Sequence, residues 1–357
     1  MRVLITGGAG FIGSHLSESL VAAGHDVAVI DNAAPDETAS PRAAGSRSAK
    51  HGNVESHRVT SPRSEDPRGR LVRHRVNILQ TVPLQRAFDA FEPDVVFHLA
   101  AQHSVAHALK EPAFDAETNI LGTINVLEQC KRRQVERVIY TASGGTCYGE
   151  NVSASPEETP LAPASPYGIS KAAAENYVRC FCELSGIQTV SLRLANIYGP
   201  RQFSAGESNV IAIFLRRLCL AESLTIYGDG EQVRDYLHVD DVVRALSMCM
   251  TNRFEDPFTI LNVGSGIATS VNQIAELTTA AFREWQIDAG ETPAAIPVTR
   301  LDARKGELLR CFLDCRRIRQ TTGWAAGIEL ESGIKETTRW FASELVGGVG
   351  QSSVAPK

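Results

Sequence analysis

A glycine-rich segment, TGGAGFIG, stands between an apolar run at residues 2–6 and an amphipathic helical pattern at residues 14–24. A strand that ends in closely spaced glycines and leads into a helix is the pattern of a turn that binds a pyrophosphate at a helix N-terminus. Gly7 allows the tight turn, Gly10 lets the backbone approach the pyrophosphate, and Gly13 permits close packing of the helix on the strand. The segment therefore predicts a dinucleotide-binding unit at the start of the chain.

The strand that follows this helix ends in an acidic residue. Asp31 closes the apolar run DVAVID and lies 18 residues after Gly13. A carboxylate in this place accepts hydrogen bonds from the adenosine ribose hydroxyls and repels a 2′-phosphate. The sequence therefore favours NAD as the cofactor, although the arginines of residues 33–70 leave NADP open as the alternative.

The apolar runs of the first 200 residues alternate with helical patterns. After the first run come DVAVID (26–31), DVVFHLAA (94–101), ERVIYTAS (136–143) and QTVSLRLANIYGP (188–200). Strands that are apolar throughout and separated by helices indicate a parallel sheet covered on both faces. The predicted fold class is α/β, a doubly wound parallel sheet of the Rossmann type.

Three stretches depart from this alternation. Residues 33–70 are rich in Ser, Pro, Ala, Gly and Arg, and we interpret them as a mobile, solvated insertion at the rim of the cofactor site. Beyond about residue 200 the predicted elements are shorter and mixed. We therefore predict a dinucleotide-binding domain over residues 1–200, a smaller mixed α/β lobe over 201–345, and a disordered tail over 346–357.

Within the second lobe the sequence predicts three units. They are a helix at 209–222, a hairpin leading into a helix at 224–241, and a helix at 270–282. In an open α/β sheet the ligand lies outside the carboxyl ends of the strands, so we expect this lobe to close over those ends.

Composition and charge exclude several functions. A net charge of −5 argues against a nucleic acid or an anionic membrane as the main partner. No apolar run approaches the roughly 20 residues that span a bilayer. The eight cysteines are scattered, which favours reduced thiols and a cytoplasmic protein. We also expect no metal site, because His103 and His107 could share a helix face but have no third ligand nearby in sequence.

The segment SPYGISKAAAEN places Tyr167 and Lys171 four residues apart, on one face of a helix that starts near Pro166. A tyrosine that acts as a base near neutral pH needs its pKa lowered by about 3 units, or about 4 kcal/mol. The ammonium of a lysine one turn away stabilises the phenolate and can also hold a nicotinamide ribose. We therefore predict that Tyr167 and Lys171 are catalytic.

Several longer motifs carry a resemblance to a known family. They are HLAAQHSV (98–105), NILGTINVLE (119–128), YTASGGTCYG (140–149), LRLANIYGPRQ (192–202), IYGDGEQVRDYLHVDD (226–241) and KGELLR (305–310). With the glycine turn and YGISK, they make the chain similar to the extended short-chain dehydrogenase/reductase superfamily. Within its NAD-dependent nucleotide-sugar epimerases and dehydratases, the chain looks most like the UDP-glucose 4-epimerases. The resemblance leaves out only the insertion and the tail.

The resemblance implies a reaction and a set of contacts. NAD would stay bound while Tyr167 takes the proton of the sugar O4 and the C4 hydride is transferred, and the 4-keto sugar would then turn over before the hydride returns. The implied cofactor contacts are Gly7, Gly10, Phe11, Ile12, Gly13, Asp31, Asn32, Asn77, Ile78, Leu99, Ala100, Ala101, Tyr167 and Lys171. The implied substrate contacts are Asn196, Asn209, Arg234, Arg304, Glu307 and Cys311.

Among the substrate contacts, Arg234 and Arg304 would bind the phosphates and Glu307 the uridine ribose. Cys311 matches the position that gates the 2-substituent of the sugar, so UDP-GlcNAc is a second expected substrate. The resemblance also implies a homodimer that is built from helices at about 113–133 and 167–185.

The resemblance leaves a question at the active-site hydroxyl. The serine or threonine usual in the family falls on Gly144, with Ser143 one residue before it and Thr146 two after. Since glycines make this turn permissive, we predict that Ser143 supplies the hydroxyl, with Thr146 as the second choice.

Other functions remain open from the sequence. They are a UDP-glucuronate 4-epimerase, a decarboxylase, a 4,6-dehydratase, or an NAD-binding protein without catalysis. Dehydratases of the superfamily usually carry acidic residues after the active-site hydroxyl, where this chain has Gly144, Gly145 and Thr146, so the sequence disfavours that reaction.

Overall fold

Seven parallel strands form the main sheet of this computed structural model, which describes residues 1–33, 69–202, 209–293, 296–304 and 307–346. The order across the sheet is β10-β6-β5-β4-β1-β2-β3. Their bounds are β1 (Arg2–Thr6), β2 (Asp26–Asp31), β3 (Leu71–Arg75), β4 (Val95–His98), β5 (Arg137–Ser143), β6 (Gln188–Leu194) and β10 (Phe258–Val263). The predicted doubly wound parallel sheet is confirmed. The predicted insertion, except for its ends, and all but the first residue of the predicted tail lie outside the described residues.

Helices cover both faces of the sheet. They are α1 (Phe11–Ala22), α2 (Thr81–Phe91), α3 (Val105–Lys110), α4 (Pro112–Ala116), α5 (Gly122–Arg133), α6 (Gly144–Cys147), α7 (Pro166–Ser185) and α9 (Val239–Thr251), with a π-helical turn at Glu117–Leu121. Leu16 of α1 and Leu246 of α9 pack on one face, and Phe88 of α2 and Val126 of α5 on the other. Because both faces of the central strands are covered, β1, β2, β4, β5 and β6 are mostly apolar and buried.

Two strands of this sheet are absent from the sequence prediction. β3 has the sequence LVRHR and lies at the edge beside β2, where only Val72 is buried. β10 lies at the opposite edge beside β6, although it comes from a part of the chain that we assigned to the second lobe. The sheet therefore does not end at residue 200, and the proposed division into domains at that residue stays a prediction.

A smaller sheet forms around β9 (Val233–His238). Its other strands are β7 (Asn196–Tyr198), β11 (Ala268–Ser270) and β13 (Arg310–Cys311). β8 (Leu224–Tyr227) pairs instead with β12 (Val298–Leu301), so the predicted hairpin over 224–241 is wrong. Gly228 and Gly230 both have positive φ, and the chain between β8 and β9 leads from one sheet to another rather than folding back.

The remaining helices pack beside the smaller sheets. They are α8 (Val210–Cys219), α10 (Val271–Asp288), α11 (Arg316–Thr322) and α12 (Leu330–Leu345). The predicted helices at 209–222 and 270–282 correspond to α8 and α10, and Ser270 with Gln273 forms a capping box that starts α10. Among the described residues, no helix is both long and apolar enough to cross a membrane.

Candidate active site

The glycine-rich turn lies at the carboxyl edge of the sheet, between β1 and α1. Gly7 has φ +72°, and a Cβ there would come within 2.7 Å of the Ala100 nitrogen. A Cβ on Gly13 would come within 2.2 Å of the Gly7 oxygen. Gly10 is exposed, and its Cβ would meet only the Gly7 oxygen, at 3.2 Å. Gly7 and Gly13 are therefore tightly packed, while the space beside Gly10 is open to solvent. Binding of a pyrophosphate at the start of α1 requires this open space. The helix begins at Phe11, three residues earlier than predicted.

Asp31 connects this turn to the end of β2. Its carboxylate accepts hydrogen bonds from the backbone nitrogen atoms of Ala9 and Ala33, both at 3.0 Å. These two bonds fix the carboxylate beside the glycine turn, and its remaining lone pairs can accept ribose hydroxyls. Asn32 follows and is exposed. The residues at this edge fit the adenosine half of a dinucleotide.

The other predicted cofactor positions follow β3 and β4. Asn77 accepts a hydrogen bond from the Leu79 nitrogen at 2.9 Å, and Ile78 is buried against Gly122. Leu99 donates its backbone N–H to the Thr6 oxygen at 3.1 Å, so the segment Leu99–Ala101 lies beside the end of β1. The structure thus brings the predicted cofactor positions to one edge of the sheet.

The predicted catalytic pair, Tyr167 and Lys171, lies on the first two turns of α7. Ser165 caps this helix by accepting the Gly168 N–H, and Pro166 occupies the first turn. Lys171 is almost fully buried, with its Nζ 4.4 Å from the centre of the Tyr140 ring. Burial lowers the pKa of Lys171 to about 7, while the carboxylates of Glu175 and Asp115 raise it.

The electrostatics of Tyr167 differ from the prediction. Shielding from water raises its pKa to about 12, a hydrogen bond with Ser143 lowers it, and the charge of Asp115 raises it further. Lys171 is not among the groups that shift this pKa, and its Nζ lies over the Tyr140 ring. Tyr167 is therefore protonated at neutral pH in the protein alone.

The turn after β5 carries two hydroxyls toward Tyr167. Thr146 donates its Oγ1–H to the Ser143 Oγ at 2.8 Å, and Ser143 is hydrogen-bonded to Tyr167. A Cβ on Gly144 would lie 2.7 Å from the Leu313 Cδ1, so it would be directed into packed side chains. The structure therefore places Ser143 next to Tyr167 and Thr146 behind it.

Four of the predicted substrate contacts lie near this turn. Asn196 begins β7, and its Oδ1 would be 3.2 Å from a Cβ on Gly145. Cys311 is buried, with its Sγ 3.4 Å from the Gly145 oxygen, and burial raises the pKa of its thiol to about 11. Cys311 pairs with Arg234 across β13 and β9, and a guanidinium nitrogen of Arg234 is 4.0 Å from Glu307.

The other two predicted contacts have different surroundings. The Asn209 side chain caps α8 by accepting the Ile211 N–H at 2.9 Å, and it donates to the Ile197 oxygen at 2.8 Å. Its amide is therefore already engaged within the protein. The Arg304 guanidinium stacks on the Tyr227 ring at 4.0 Å from the ring centre.

The sequence reasoning missed a buried ion pair beneath the site. Arg193 on β6 contacts the Glu175 carboxylate at 2.6 Å, and both side chains are buried. Arg193 also donates to the Tyr148 hydroxyl at 2.8 Å, just after the catalytic turn. Glu175 lies one turn beyond Lys171 on α7, and that spacing is the signal that could have identified it.

A segment after the catalytic turn connects the site to β13. The Glu150 carboxylate accepts the backbone N–H groups of Leu309 at 2.7 Å and Arg310 at 2.8 Å. The Asn151 nitrogen donates to the Arg310 oxygen at 3.2 Å. Cys311, the next residue, is thereby fixed relative to the turn that carries Ser143.

The described residues contain one His–Asp–Glu group close enough to hold a cation: His238, Asp240 and Glu336. The His238 Nδ1 accepts the Asp240 N–H at 3.3 Å, so the neutral ring carries its proton on Nε2, toward Glu336. This arrangement suits a helix cap rather than a metal ligand. The considered pair His103 and His107 does not share a helix face, because α3 begins only at Val105.

A doubly wound sheet, a glycine turn beside Asp31, and a Tyr–Lys pair with a neighbouring hydroxyl define an extended short-chain dehydrogenase/reductase. Within that class the chain belongs to the NAD dependent epimerase/dehydratase family, whose family model matches residues 3–264. The family description agrees with the cofactor, NAD, that was predicted from Asp31 and the glycine turn.

Individual relatives are similar over nearly the full length of the chain. UDP-glucose 4-epimerase of Mycolicibacterium smegmatis is 34% identical over 350 residues, which cover 96% of this chain and 99% of that protein. UDP-glucose 4-epimerase of Thermotoga maritima, solved with UDP-glucose, has 36% identity and a TM-score of 0.79, covering 97% and 100% of the two chains. The Thermus thermophilus enzyme, solved with NAD, has 34% identity and a TM-score of 0.78, covering 96% and 99%. A dTDP-glucose 4,6-dehydratase of Neisseria gonorrhoeae is more distant, at 29% identity over 358 residues.

Proposed function

We propose that the protein interconverts the C4 epimers of a UDP-hexose, UDP-glucose and UDP-galactose first, with NAD as its bound cofactor. The observation that carries this proposal is the hydroxyl chain from Thr146 through Ser143 to Tyr167, beside Lys171 at the carboxyl edge of the sheet. A chain of this kind can take a proton from a secondary alcohol and return it. The similar proteins named UDP-glucose 4-epimerase support the assignment of the sugar nucleotide.

Each residue of the site has a separate task in this reaction. Gly7, Gly10 and Asp31 would hold NAD, which would supply the acceptor and donor of the C4 hydride when bound. Ser143 donates a hydrogen bond to the sugar O4 or to the ionised Tyr167, and Thr146 orients Ser143. Tyr167 removes the O4 proton and later restores it, while the Lys171 ammonium stabilises the phenolate.

Epimerisation also needs a diphosphate held firmly and a sugar held loosely, so that the 4-keto sugar can turn over. Arg234 on β9 has its guanidinium 4.0 Å from the Glu307 carboxylate. A guanidinium there supports firm binding of the diphosphate at the nucleotide end of the substrate. Gly145 presents no side chain beside Asn196, one of the predicted substrate contacts, which supports loose holding at the reacting end.

The dehydratase alternative receives less support from the site. Elimination of water across C5 and C6 needs an acid next to the active-site hydroxyl. Gly144, Gly145 and Thr146 supply none, and Glu150 is the next acidic residue along the chain. The Glu150 carboxylate is already bonded to two backbone N–H groups, those of Leu309 and Arg310. Epimerisation is the reaction that the site favours.

UDP-GlcNAc is the proposed second substrate, and Cys311 is the residue that favours it. Its thiol is small and lies against the Gly145 oxygen at 3.4 Å, beside the predicted sugar site. A small side chain at this position leaves room for an N-acetyl group at C2, whereas a large aromatic side chain would fill it.

The decisive experiment incubates the purified holoenzyme with UDP-galactose and measures UDP-glucose by a coupled dehydrogenase. A parallel panel contains UDP-GlcNAc, UDP-glucuronate and dTDP-glucose, and a 4-keto-6-deoxy product would identify a dehydratase. We expect turnover of UDP-galactose first and of UDP-GlcNAc second. Bound NAD with no turnover of any sugar nucleotide would instead identify a binding protein without catalysis.

Tyr167→Phe is the matched variant for this experiment. It removes the hydroxyl while keeping the ring, so we expect NAD content to stay at the wild-type level and turnover to fall by about 10²–10⁴-fold. NAD is quantified after acid release from the protein. Undiminished turnover in Tyr167→Phe would remove this residue from the mechanism.

The proposed compartment is the cytoplasm, and all eight cysteines are free thiols, which supports a reducing environment. The proposed assembly is a homodimer. Phe114, Leu121, Ile169 and Tyr177 expose apolar side chains on α4, the π-helical turn and α7, the region that the family resemblance assigns to an interface.

A further inference from the structure

Glu150 is an exposed carboxylate that binds the backbone of a segment far along the chain. It directly follows Gly149, which has φ +75°. Its Oε2 accepts the Leu309 N–H at 2.7 Å, and its Oε1 accepts the Arg310 N–H at 2.8 Å. Hydrogen bonds from N–H groups to a carboxylate are shorter and stronger than those between neutral groups. Both oxygens of one side chain thus hold two consecutive residues of a different element.

The two N–H groups converge on this carboxylate because the chain bends at Leu309. In a straight strand the N–H groups of successive residues point to opposite edges, so one side chain cannot receive both. Leu309 lies in a bend, and β13 begins at the next residue. The Leu309 oxygen points the other way and accepts the Val233 N–H of β9 at 2.8 Å. Glu150 therefore fixes the bend through which the chain enters β13.

This bend lies between the two ends of the predicted substrate site. Two residues before it, the Glu307 carboxylate is 4.0 Å from a guanidinium nitrogen of Arg234. Two residues after it, Cys311 is buried with its Sγ 3.4 Å from the Gly145 oxygen. A rotation of the chain at Leu309 would change the separation of these two contacts. The bend therefore sets the distance between the predicted nucleotide contacts and the predicted sugar contact.

The segment after Glu150 runs along the edge of β13 that faces away from β9. The Asn151 nitrogen donates to the Arg310 oxygen at 3.2 Å, and the Ser155 nitrogen donates to the Phe312 oxygen at 3.0 Å. These bonds use backbone oxygens, whereas the N–H groups at the bend are received by the Glu150 side chain. A change in this side chain therefore acts on the bend and leaves the backbone pairing beyond it in place.

We propose that Glu150 is a positioning residue for the sugar nucleotide, which acts through the bend at Leu309 and fixes the strand that carries Cys311 against the turn after β5. This inference rests on the proposed function, which supplies the ligand of Arg234 and Glu307. A carboxylate near a diphosphate repels it, so the negative charge by itself weakens binding. The two hydrogen bonds order the segment before the substrate arrives, and this preorganisation strengthens binding.

Glu150→Gln is the sharpest test, because the side chain keeps its length while an NH₂ group replaces one of the two acceptor oxygens. We expect the Kd for UDP, measured by calorimetry on the holoenzyme, and the KM for UDP-galactose to rise about tenfold. The value of kcat should stay within about twofold of the wild type, because Tyr167 and Ser143 are unchanged. Removal of the negative charge by itself would lower both constants, so a rise reports the loss of the hydrogen bonds.

Glu158→Gln is the matched control. It makes the same change on an exposed carboxylate of the same segment, whose partner is the Arg317 guanidinium. Its Kd, KM and kcat should equal those of the wild type, and both variants should keep the wild-type NAD content and melting temperature. A Kd and a KM that stay unchanged or fall in Glu150→Gln overturn the proposal. A loss of kcat at constant KM also overturns it, because Glu150 would then act in the chemical step.

Amide hydrogen exchange tests the bend without any ligand. In Glu150→Gln the amides of Leu309 and Arg310 should exchange about tenfold faster than in the wild type, and in Glu158→Gln at the wild-type rate. Unchanged exchange of both amides in Glu150→Gln overturns the proposal, whether or not a sugar nucleotide binds. A wild-type protein that turns over no UDP-sugar contradicts the proposed function, whereas normal turnover with an unaltered KM in Glu150→Gln contradicts this inference alone.

Discussion

The glycine at position 144 has a packing reason rather than a catalytic one. A Cβ there would lie 2.7 Å from the Leu313 Cδ1 and 3.0 Å from the Arg193 oxygen. A side chain at this position would therefore be directed into the contact between the catalytic turn and the strand segment after β13. Ser143 stays the predicted active-site hydroxyl, and its Oγ is hydrogen-bonded to Tyr167 and Thr146.

Ser143→Ala should reduce kcat more than Thr146→Ala. Ser143 contacts Tyr167, so its loss removes a donor at the reacting oxygen and should cost on the order of a hundredfold. Thr146 only orients Ser143, and its loss should cost about tenfold. Initial rates with UDP-galactose at equal NAD content measure both, and the reverse order would assign the catalytic hydroxyl to Thr146.

Two further variants serve as controls for this prediction. Thr146→Ser keeps the hydroxyl and should behave like the wild type. Gly144→Ser in the Ser143→Ala background returns a hydroxyl to the position usual in the family. Because its Cβ would be directed toward Leu313, it should not restore turnover. Recovery of activity in this double variant would contradict the prediction that Ser143, and not position 144, supplies the hydroxyl.

The sequence predicts those site residues whose neighbours lie a few positions away in the chain or at the end of the same strand. Tyr167 and Lys171 share a helix face, and Asp31 ends a strand beside the glycines. The buried hydrogen bonds that join Asp115 and Asn119 to Ser170 could not be predicted, because Ser170 lies on a helix about fifty residues later and no short-range pattern records that contact. The raised pKa of Tyr167 could not be predicted from the sequence either, since it depends on the burial of the side chain and on its hydrogen bond with Ser143.

At the scale of elements, the catalytic helix is attached to the sheet through charge as well as apolar packing. Arg193 on β6 and Glu175 on α7 form a buried pair, and Ser191 donates to the same carboxylate at 2.5 Å. The pair lies directly below the turn of α7 that carries Lys171. The pair therefore joins α7 to β6 one turn beyond Lys171.

Glu175→Gln should destabilise the protein by about 3–5 kcal/mol, because it leaves the Arg193 guanidinium buried without a counter-charge. The double variant Glu175→Met with Arg193→Met should lose less, since both charges are removed together. Urea unfolding monitored by circular dichroism measures the free energies of unfolding. A loss in the double variant equal to the sum of the losses in Glu175→Met and Arg193→Met alone would show that the charges are not coupled.

The strand predictions were confirmed where both faces of the strand are buried. β1, β2, β4, β5 and β6 are all apolar runs in the sequence and lie inside the sheet. The edge strand β3 was missed because edge positions tolerate charged side chains, here Arg73, His74 and Arg75, which weaken the apolar signal. The edge strand β10, FTILNV, was missed although it carries no charge, because it comes from a part of the chain that we assigned to the second lobe. The hairpin over 224–241 was wrong because strand partners are chosen by tertiary packing, and a glycine-containing turn does not by itself specify pairing.

At the scale of the whole molecule, the exposed apolar side chains on α4, the π-helical turn and α7 predict self-association. Tyr177→Glu places a charge among them and should convert a dimer of about twice 38.6 kDa into a monomer. Ile287→Glu, at an exposed apolar position on α10, is the control and should leave the mass unchanged. Light scattering after gel filtration measures the mass. A wild-type protein that is already monomeric would contradict the predicted homodimer.

The position of β10 has a consequence for how the protein is made. β6 pairs with β5 on one side and with β10 on the other, yet between β6 and β10 the chain first forms β7, α8, β8, β9 and α9. Until then a nascent chain presents the open backbone edge of an apolar strand, the kind of edge that recruits other chains. α9, which covers α1, arrives equally late. A premature stop codon near residue 250 should therefore leave an aggregating product rather than a cofactor-binding fragment.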